Sequence, residues 1–196
     1  MKNSIFYHIY PIGFCGAPKE NDFSSPVTER LNKIYDWIPH FKELGVNALY
    51  LGPLFSSTSH GYDTADFYQV DRRLGSNETL KNVINALHRE GIKVILDGVF
   101  HHTGRDFWAF RDVINNRQAS QYCNWFSGLS FGRRSPYDDP FTYDTWNGHY
   151  NLVKLNLYHN DVKNHIYYAV KFWIDEFHID GLRLDAADCM DINFLR

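Results

Sequence analysis

The segment Gly181-Leu182-Arg183-Leu184-Asp185-Ala186-Ala187-Asp188 sets an arginine two residues before an aspartate on a short apolar run. In a β-strand, residues two apart share a face, so Arg183 and Asp185 should project side by side. A cation that close favours an ionised carboxylate, the state a nucleophilic or charge-stabilising aspartate needs. The sequence runs only to Arg196. A partner carboxylate carried by later residues is therefore expected to lie outside it.

Working outward, Asp161 to Phe177 carries Ile166, Ala169, Val170, Phe172, Trp173 and Phe177 at helical spacing. Ile92 to Phe100 reads as a strand. Before it, Asn77 is the expected cap of a helix to Glu90, with Leu80, Val83, Ile84 and Leu87 on one face. Val46 to Leu51 is strand-like and closed by Gly52-Pro53. Thr28 to Leu44 has helical spacing, Gly45 as its stop and Pro39 as a point where it should kink or break. Ile5 to Tyr10 reads as the first buried strand, ended by Pro11 and Gly13 and followed by a loop.

Strands alternating with helices specify an α/β fold with a parallel sheet. The nearly all-apolar strands agree, because parallel strands are buried on both faces. One connection, about Thr103 to Asn160, far exceeds the roughly 2–6 residues of a βα loop. It predicts an inserted subdomain or lid. Its many aromatics, from Phe107 to Tyr158, are expected to be mostly subdomain core, with one or two facing a ligand.

The bulk numbers narrow the function. A chain of 196 residues fits one domain or a piece of a larger one, and 44% hydrophobic residues suffice for a sizeable core. Lys plus Arg is 20 against 23 for Asp plus Glu, a net charge of −3. That balance offers no basis for binding nucleic acid or an anionic membrane. Cys15, Cys123 and Cys189 form no CxxC pair and read as reduced structural thiols. No run approaches membrane-span length and the N-terminus lacks an unbroken apolar stretch, so a soluble, cytoplasmic protein is expected.

Polar residues collect after strand ends: His60-Gly61-Tyr62-Asp63, Asp97-Gly98-Val99-Phe100-His101-His102, and Arg183 with Asp185. In a βα barrel that rim carries the chemistry. Asp63 and Asp66 read as turn caps. His101 should point away from the site or only stabilise its loop. Because adjacent strand residues face opposite sides, His101 and His102 should not share a metal ion. Asp138-Asp139 reads as a solvated turn and Asp71-Arg72-Arg73 as a surface charge group.

With these motifs the chain resembles the α-amylase family of glycoside hydrolases and transglycosidases over essentially its whole length. DGVFHH at 97–102 resembles the family signature Asp-x-Val-x-Asn-His, and GLRLDAAD at 181–188 resembles Gly-x-Arg-x-Asp; HGYD at 60–63 and LVKLN at 152–156 support them. The resemblance implies the N-terminal half of a (β/α)₈ barrel: strands one to three with their helices over 1–102, an inserted subdomain over 103–160, and the third helix and fourth strand over 161–196. It implies Asp185 as nucleophile and Arg183 as the residue that orients it. His60 and His102 would bond the sugar, Tyr62 would stack under it, and Asp97 would brace the arginine.

The implied reaction is retaining cleavage or transfer at α-glucosidic bonds of malto-oligosaccharides or starch, using two carboxyl groups about 5–5.5 Å apart. The implied acid, a glutamate on a fifth strand, lies past Arg196. The 196 residues are therefore expected to be an inactive fragment with open sheet edges, pairing with a complementary half or with another copy. Lys154 resembles the neopullulanase, cyclomaltodextrinase and maltogenic amylase branch. His101 stands where the family has Asn, and Asp188-Cys189 where many members have Lys-His. No cofactor is implied, and His101 with Lys154 weighs against the family's structural calcium. The alternatives are a non-catalytic sugar- or partner-binding barrel relative, or an isomerase or sucrose-type glucosyl transferase.

Overall fold

A computed structural model describes residues 4–196. In chain order the elements are β1 (Phe6–Ile9), α1 (Pro11–Phe14), α2 (Lys33–Glu43), β2 (Ala48–Leu51), α3 (Asn77–Arg89), β3 (Lys93–Gly98), β4 (His102–Gly104), α4 (Trp108–Asn116), β5 (Thr145–Trp146), β6 (His149–Lys154), α5 (Asn160–Phe177), β7 (Gly181–Leu184) and α6 (Ile192–Leu195). Strands β1, β2, β3 and β7 form one parallel sheet in that order. Strands β4, β6 and β5 form a separate antiparallel sheet within the long β3–α5 connection.

The pleat of the parallel sheet sorts its side chains. Leu49 and Leu51 of β2 and Val94 and Leu96 of β3 join a core with Ile34 and Phe41 of α2, Leu80, Val83 and Ile84 of α3, and Ile166, Trp173 and Phe177 of α5. The opposite face carries His8 stacked on Tyr50 at 4.2 Å, with Asp97 and Arg183 beyond. Helices therefore cover one face, and polar side chains gather on the other.

Several local expectations change in the fold. The strands are one or two residues shorter at their ends than their apolar runs. The 28–44 helix starts late, with a 3₁₀ turn at Arg30–Asn32 before α2. The reason is tertiary: the amides of Thr28 and Leu31 bond to the carbonyls of Arg72 and Leu74 instead. Pro39 lies inside α2 without ending it. The cap of α3 is Ser76, not Asn77; the Ser76 and Thr79 side chains form a reciprocal capping box, and Asn77 Oδ1 instead accepts from the Val70 amide. A short helix, α1, occupies what read as a turn.

Two charge clusters are also corrected. Asp71 and Arg73 are 1% and 5% exposed rather than on the surface. Arg73 Nε and Nη2 donate to the two Asp71 oxygens at 2.9 and 2.7 Å, and Nη1 reaches the carbonyls of Lys19 and Ser59, both at 2.8 Å. This buried pair ties the N-terminal loop to the loop after β2. Asp139 is likewise buried, in a bidentate pair with Arg105 at 2.8 Å for both bonds, while Asp138 is exposed. Both clusters look solvated in sequence because their partners are distant in the chain or hidden by the fold.

Candidate active site

Arg183 and Asp97 are direct partners in the β3–β7 register. Arg183 Nη1 donates to Asp97 Oδ1 at 3.0 Å and to Asp185 Oδ1 at 2.7 Å. The Tyr50 hydroxyl donates to Asp97 Oδ2 at 2.5 Å. The Asp97 side chain is fully buried. Burial raises its pKa above the ordinary range, and the bonds from Tyr50 and Arg183 pull the other way. The Arg183 pKa is raised: burial opposes its charge, but the bonds to Asp97 and Asp185 outweigh that. The Tyr50 phenol is pushed far up, by burial first and then by the Asp97 carboxylate it serves. A neutral phenol, a carboxylate, a guanidinium and a second carboxylate thus form one hydrogen-bonded row.

Beyond the row, the Asp185 amide bonds to the Gly98 carbonyl at 3.0 Å. Ala186 then takes the left-handed region at φ 50°. A residue with a Cβ there costs about 1 kcal/mol, and the turn ends the strand immediately after the carboxylate. Asp185 Oδ2 accepts no hydrogen bond among the described residues.

The loop after β2 brings the second group. Asp63 is buried and accepts from Ser59 N at 2.9 Å, Ser59 Oγ at 2.6 Å and Gly61 N at 3.2 Å, so it braces this turn. Gly61 has φ 93°, and a Cβ there would sit 2.8 Å from Pro53. At Gly104 of β4, a Cβ would lie 2.4 Å from the Asp63 carbonyl oxygen. Only glycine permits these approaches. The loop is also pinned from α5, where Trp173 Nε1 donates to the Phe67 carbonyl at 2.7 Å. His60 and Tyr62 are thereby held beside Asp185. Burial, followed by the Asp97 and Asp185 charges, raises the Tyr62 pKa.

His60, Tyr62, His102 and Asp185 line one cleft of about 310 Å³, together with Trp146 and His149. Arg183 and Asp97 stand behind Asp185. The sequence-predicted residues therefore converge. Trp146 and His149 were not singled out by the sequence reading. They flank a hairpin turn, Asn147-Gly148, with φ 51° and 81°, and their rings stack at 5.6 Å. An Asn-Gly pair between short strands is a recognised hairpin signal and could have located them.

His101 does not line this cleft. It is buried and, with Lys154 and Asp188, lines a second space of about 660 Å³ on the other side of Asp185. The argument that His101 and His102 face opposite sides fails because β3 ends at Gly98 and β4 starts only at His102. Their Nδ1 atoms lie 3.3 Å apart. Burial lowers both imidazoles, His102 to about 4. Among the described residues no group of three or more His, Cys, Asp or Glu could hold a metal ion. A calcium ion takes 6–8 oxygen ligands; His101 and the Lys154 ammonium offer none from their side chains, so these residues do not fit one.

The family model described as Alpha amylase, catalytic domain, matches residues 8–194. A cyclomaltodextrinase from Bacillus sp is 38% identical over 210 residues, covering 100% of this chain and 38% of the relative. Neopullulanase 2 from Thermoactinomyces vulgaris is 35% identical over 213 residues, covering 100% of this chain and 35% of the relative. Among solved structures, the ligand-free cyclic alpha-maltosyl-(1→6)-maltose hydrolase from Arthrobacter globiformis superposes with a TM-score of 0.84 at 33% identity, covering 98% of this chain and 46% of that one. The chain spans between a third and a half of the length of these relatives. With that family model matching nearly the whole chain, the chain belongs to the α-amylase family.

Proposed function

We propose that this chain supplies the nucleophile side of a retaining glycosidase or transglycosidase acting on α-glucosidic bonds of malto-oligosaccharides or cyclodextrins. The observation that carries this is the Asp97–Arg183–Asp185 row ending in the cleft of His60, Tyr62 and His102. Asp185 attacks the anomeric carbon through the oxygen that Arg183 leaves free, and the sugar leaves Asp185 again on hydrolysis. Arg183 fixes the carboxylate's orientation, and Asp97 with Tyr50 fixes Arg183. His60 and His102 bond sugar hydroxyls, and Tyr62 packs under the ring. A second carboxyl group about 5–5.5 Å from Asp185 serves as acid and base; the full protein must supply it.

Residues 103–160 act as one inserted unit between the barrel segments 1–102 and 161–196, and complementary barrel sequence or a second copy covers the sheet's outer strands. A cytoplasmic location is supported by a Bacillus subtilis relative named intracellular maltogenic amylase, 33% identical over 208 residues. No helix among the described residues is long and apolar enough to cross a membrane.

The test is Asp185→Asn in the full protein, assayed on maltoheptaose and β-cyclodextrin. Turnover should fall roughly 10³-fold or more, with sugar binding kept. Undiminished turnover would remove Asp185 as nucleophile. Binding without any turnover by the unaltered full protein would favour a non-catalytic sugar-binding relative.

A further inference from the structure

The two ends of the 60–63 turn are held unequally. The inner end, Asp63, is buried and takes bonds from the Ser59 amide, the Ser59 hydroxyl and the Gly61 amide. The outer end, His60, has a side chain that is 41% exposed, open enough to meet a sugar, and it lines the cleft beside Tyr62. Among the described residues, the one hydrogen bond to the His60 main chain comes from Tyr10. Its hydroxyl donates to the His60 carbonyl at 2.9 Å, across 50 positions of sequence.

The imidazole follows that main chain. His60 Nδ1 accepts from the Tyr62 amide at 3.2 Å and lies 3.6 Å from Asp63 Oδ1, so ring and turn move together. Gly61, the next residue, sits at φ 93° and has no side chain to restrict its rotation. The turn is therefore anchored on one side by Asp63 and on the other by Tyr10.

The Tyr10 anchor is itself supported. The Gly52 amide bonds to the Ile9 carbonyl at 2.8 Å, which carries the β1–β2 pairing up to the residue before Tyr10. The chain then enters α1, where a Cβ on Gly13 would lie 3.1 Å from Tyr10 Cδ1, so the helix backbone rests against the phenol ring. Burial raises the Tyr10 pKa; the Arg73 charge opposes that and the Asp63 charge adds to it. The net shift is upward, and the phenol stays a neutral O–H donor.

We propose that Tyr10 is a positioning residue: its hydroxyl fixes the His60 carbonyl and so aims the His60 imidazole into the cleft. Tyr10 does not line the cleft itself. This rests on the reading of His60 as a sugar contact.

The experiment is Tyr10→Phe in the full protein, which removes one oxygen and keeps the ring against Gly13. KM for maltoheptaose should rise about threefold to tenfold, the worth of one hydrogen bond. The grip on the sugar is lost before and during the reaction alike, so kcat should stay within about twofold. A merely structural role would do the reverse, because a smaller folded fraction lowers kcat and leaves KM as it was. Added to His60→Ala, Tyr10→Phe should cost little more than His60→Ala alone, since the side chain it aims is gone. Gly13→Ala keeps the hydroxyl but presses on the ring; it should raise KM by a smaller factor, and it carries the test if Tyr10→Phe does not fold. An unchanged KM overturns the proposal, as does full additivity with His60→Ala. If His60→Ala itself leaves KM unchanged, it is the sugar-contact reading of His60 that fails. If His60→Ala raises KM and Tyr10→Phe does not, the positioning role alone falls.

Discussion

The parallel sheet and the inserted antiparallel sheet contribute different things to the same cleft. The parallel strands deliver charge: Asp97, Arg183 and Asp185 emerge at the ends of β3 and β7, locked in register and bonded to one another. The insertion delivers aromatic surface: Trp146 and His149 flank the β5–β6 turn, and Trp146 borders the spaces on both sides of Asp185. The two regions also close differently. The insertion's aromatics pack on one another, with Phe110 against Phe126 at 5.0 Å and against Tyr143 at 4.9 Å, and join the same continuous core as the helices. The parallel sheet is open at β1, where Ile5 and Phe6 are about half exposed. The charged row sits on paired parallel strands, and the aromatic pair sits on a short hairpin of the inserted connection.

That contrast can be broken by experiment. The largest effect should come from Arg73→Leu, which leaves Asp71 charged, buried and unpaired beneath the parallel half. A loss of about 3–5 kcal/mol is expected from such a broken pair, read as a shift in the urea midpoint. A loss under about 1 kcal/mol would mean that water reaches Asp71.

Phe110→Ala empties the centre of the insertion and should cost about 3 kcal/mol. Hydrogen exchange should then rise across 103–154 while β2 and β3 stay protected. Equal loss of protection in both regions would show one cooperative unit rather than two.

Acid should act first at the junction. His102 is held at about 4 in the fold, against about 6.5 for a free imidazole, so the unfolded chain binds the extra proton between those values. Stability contributed by the neutral ring is full above pH 6.5 and is lost as pH falls towards 4. Asp139 adds to this at lower pH. Burial alone would raise its pKa, but the Arg105 and Ser135 hydrogen bonds lower it overall, so its share is lost as pH drops through that depressed value. Urea midpoints at pH 7, 5 and 4 check the trend; a flat series would place water at His102.

The smallest effect tests the division of labour. Trp146→Ala should raise KM for maltoheptaose about threefold to tenfold, the worth of one aromatic contact, and leave kcat nearly unchanged. A kcat loss comparable to that of Asp185→Asn would show that the hairpin positions the reacting carboxylate as well as shaping the cleft.

Much of the parallel half was legible because its signals are local. The two-residue spacing of Arg183 and Asp185 placed both on one face, and helical spacing located α2, α3 and α5 to within a few residues. The insertion was legible only as a long aromatic-rich connection. β5 has two residues and β4 three, too short for alternation to show. Asp71 read as solvated because nothing local shows that the loops of Lys19 and Ser59 close over its pair with Arg73, and Asp139 because Arg105 lies 34 residues away. The contact between His101 and His102 was not legible because a strand rule was applied where the strand had already ended.

The sequence by itself determined which strand ends carry the clustered polar residues, since periodicity and spacing are properties of neighbouring residues. Tertiary structure decided what those groups face. It set Asp97 opposite Arg183, brought Trp146 across the insertion to the cleft, and turned His101 onto His102. These are contacts between residues far apart in the chain or outside regular strands, and only packing and register settle them.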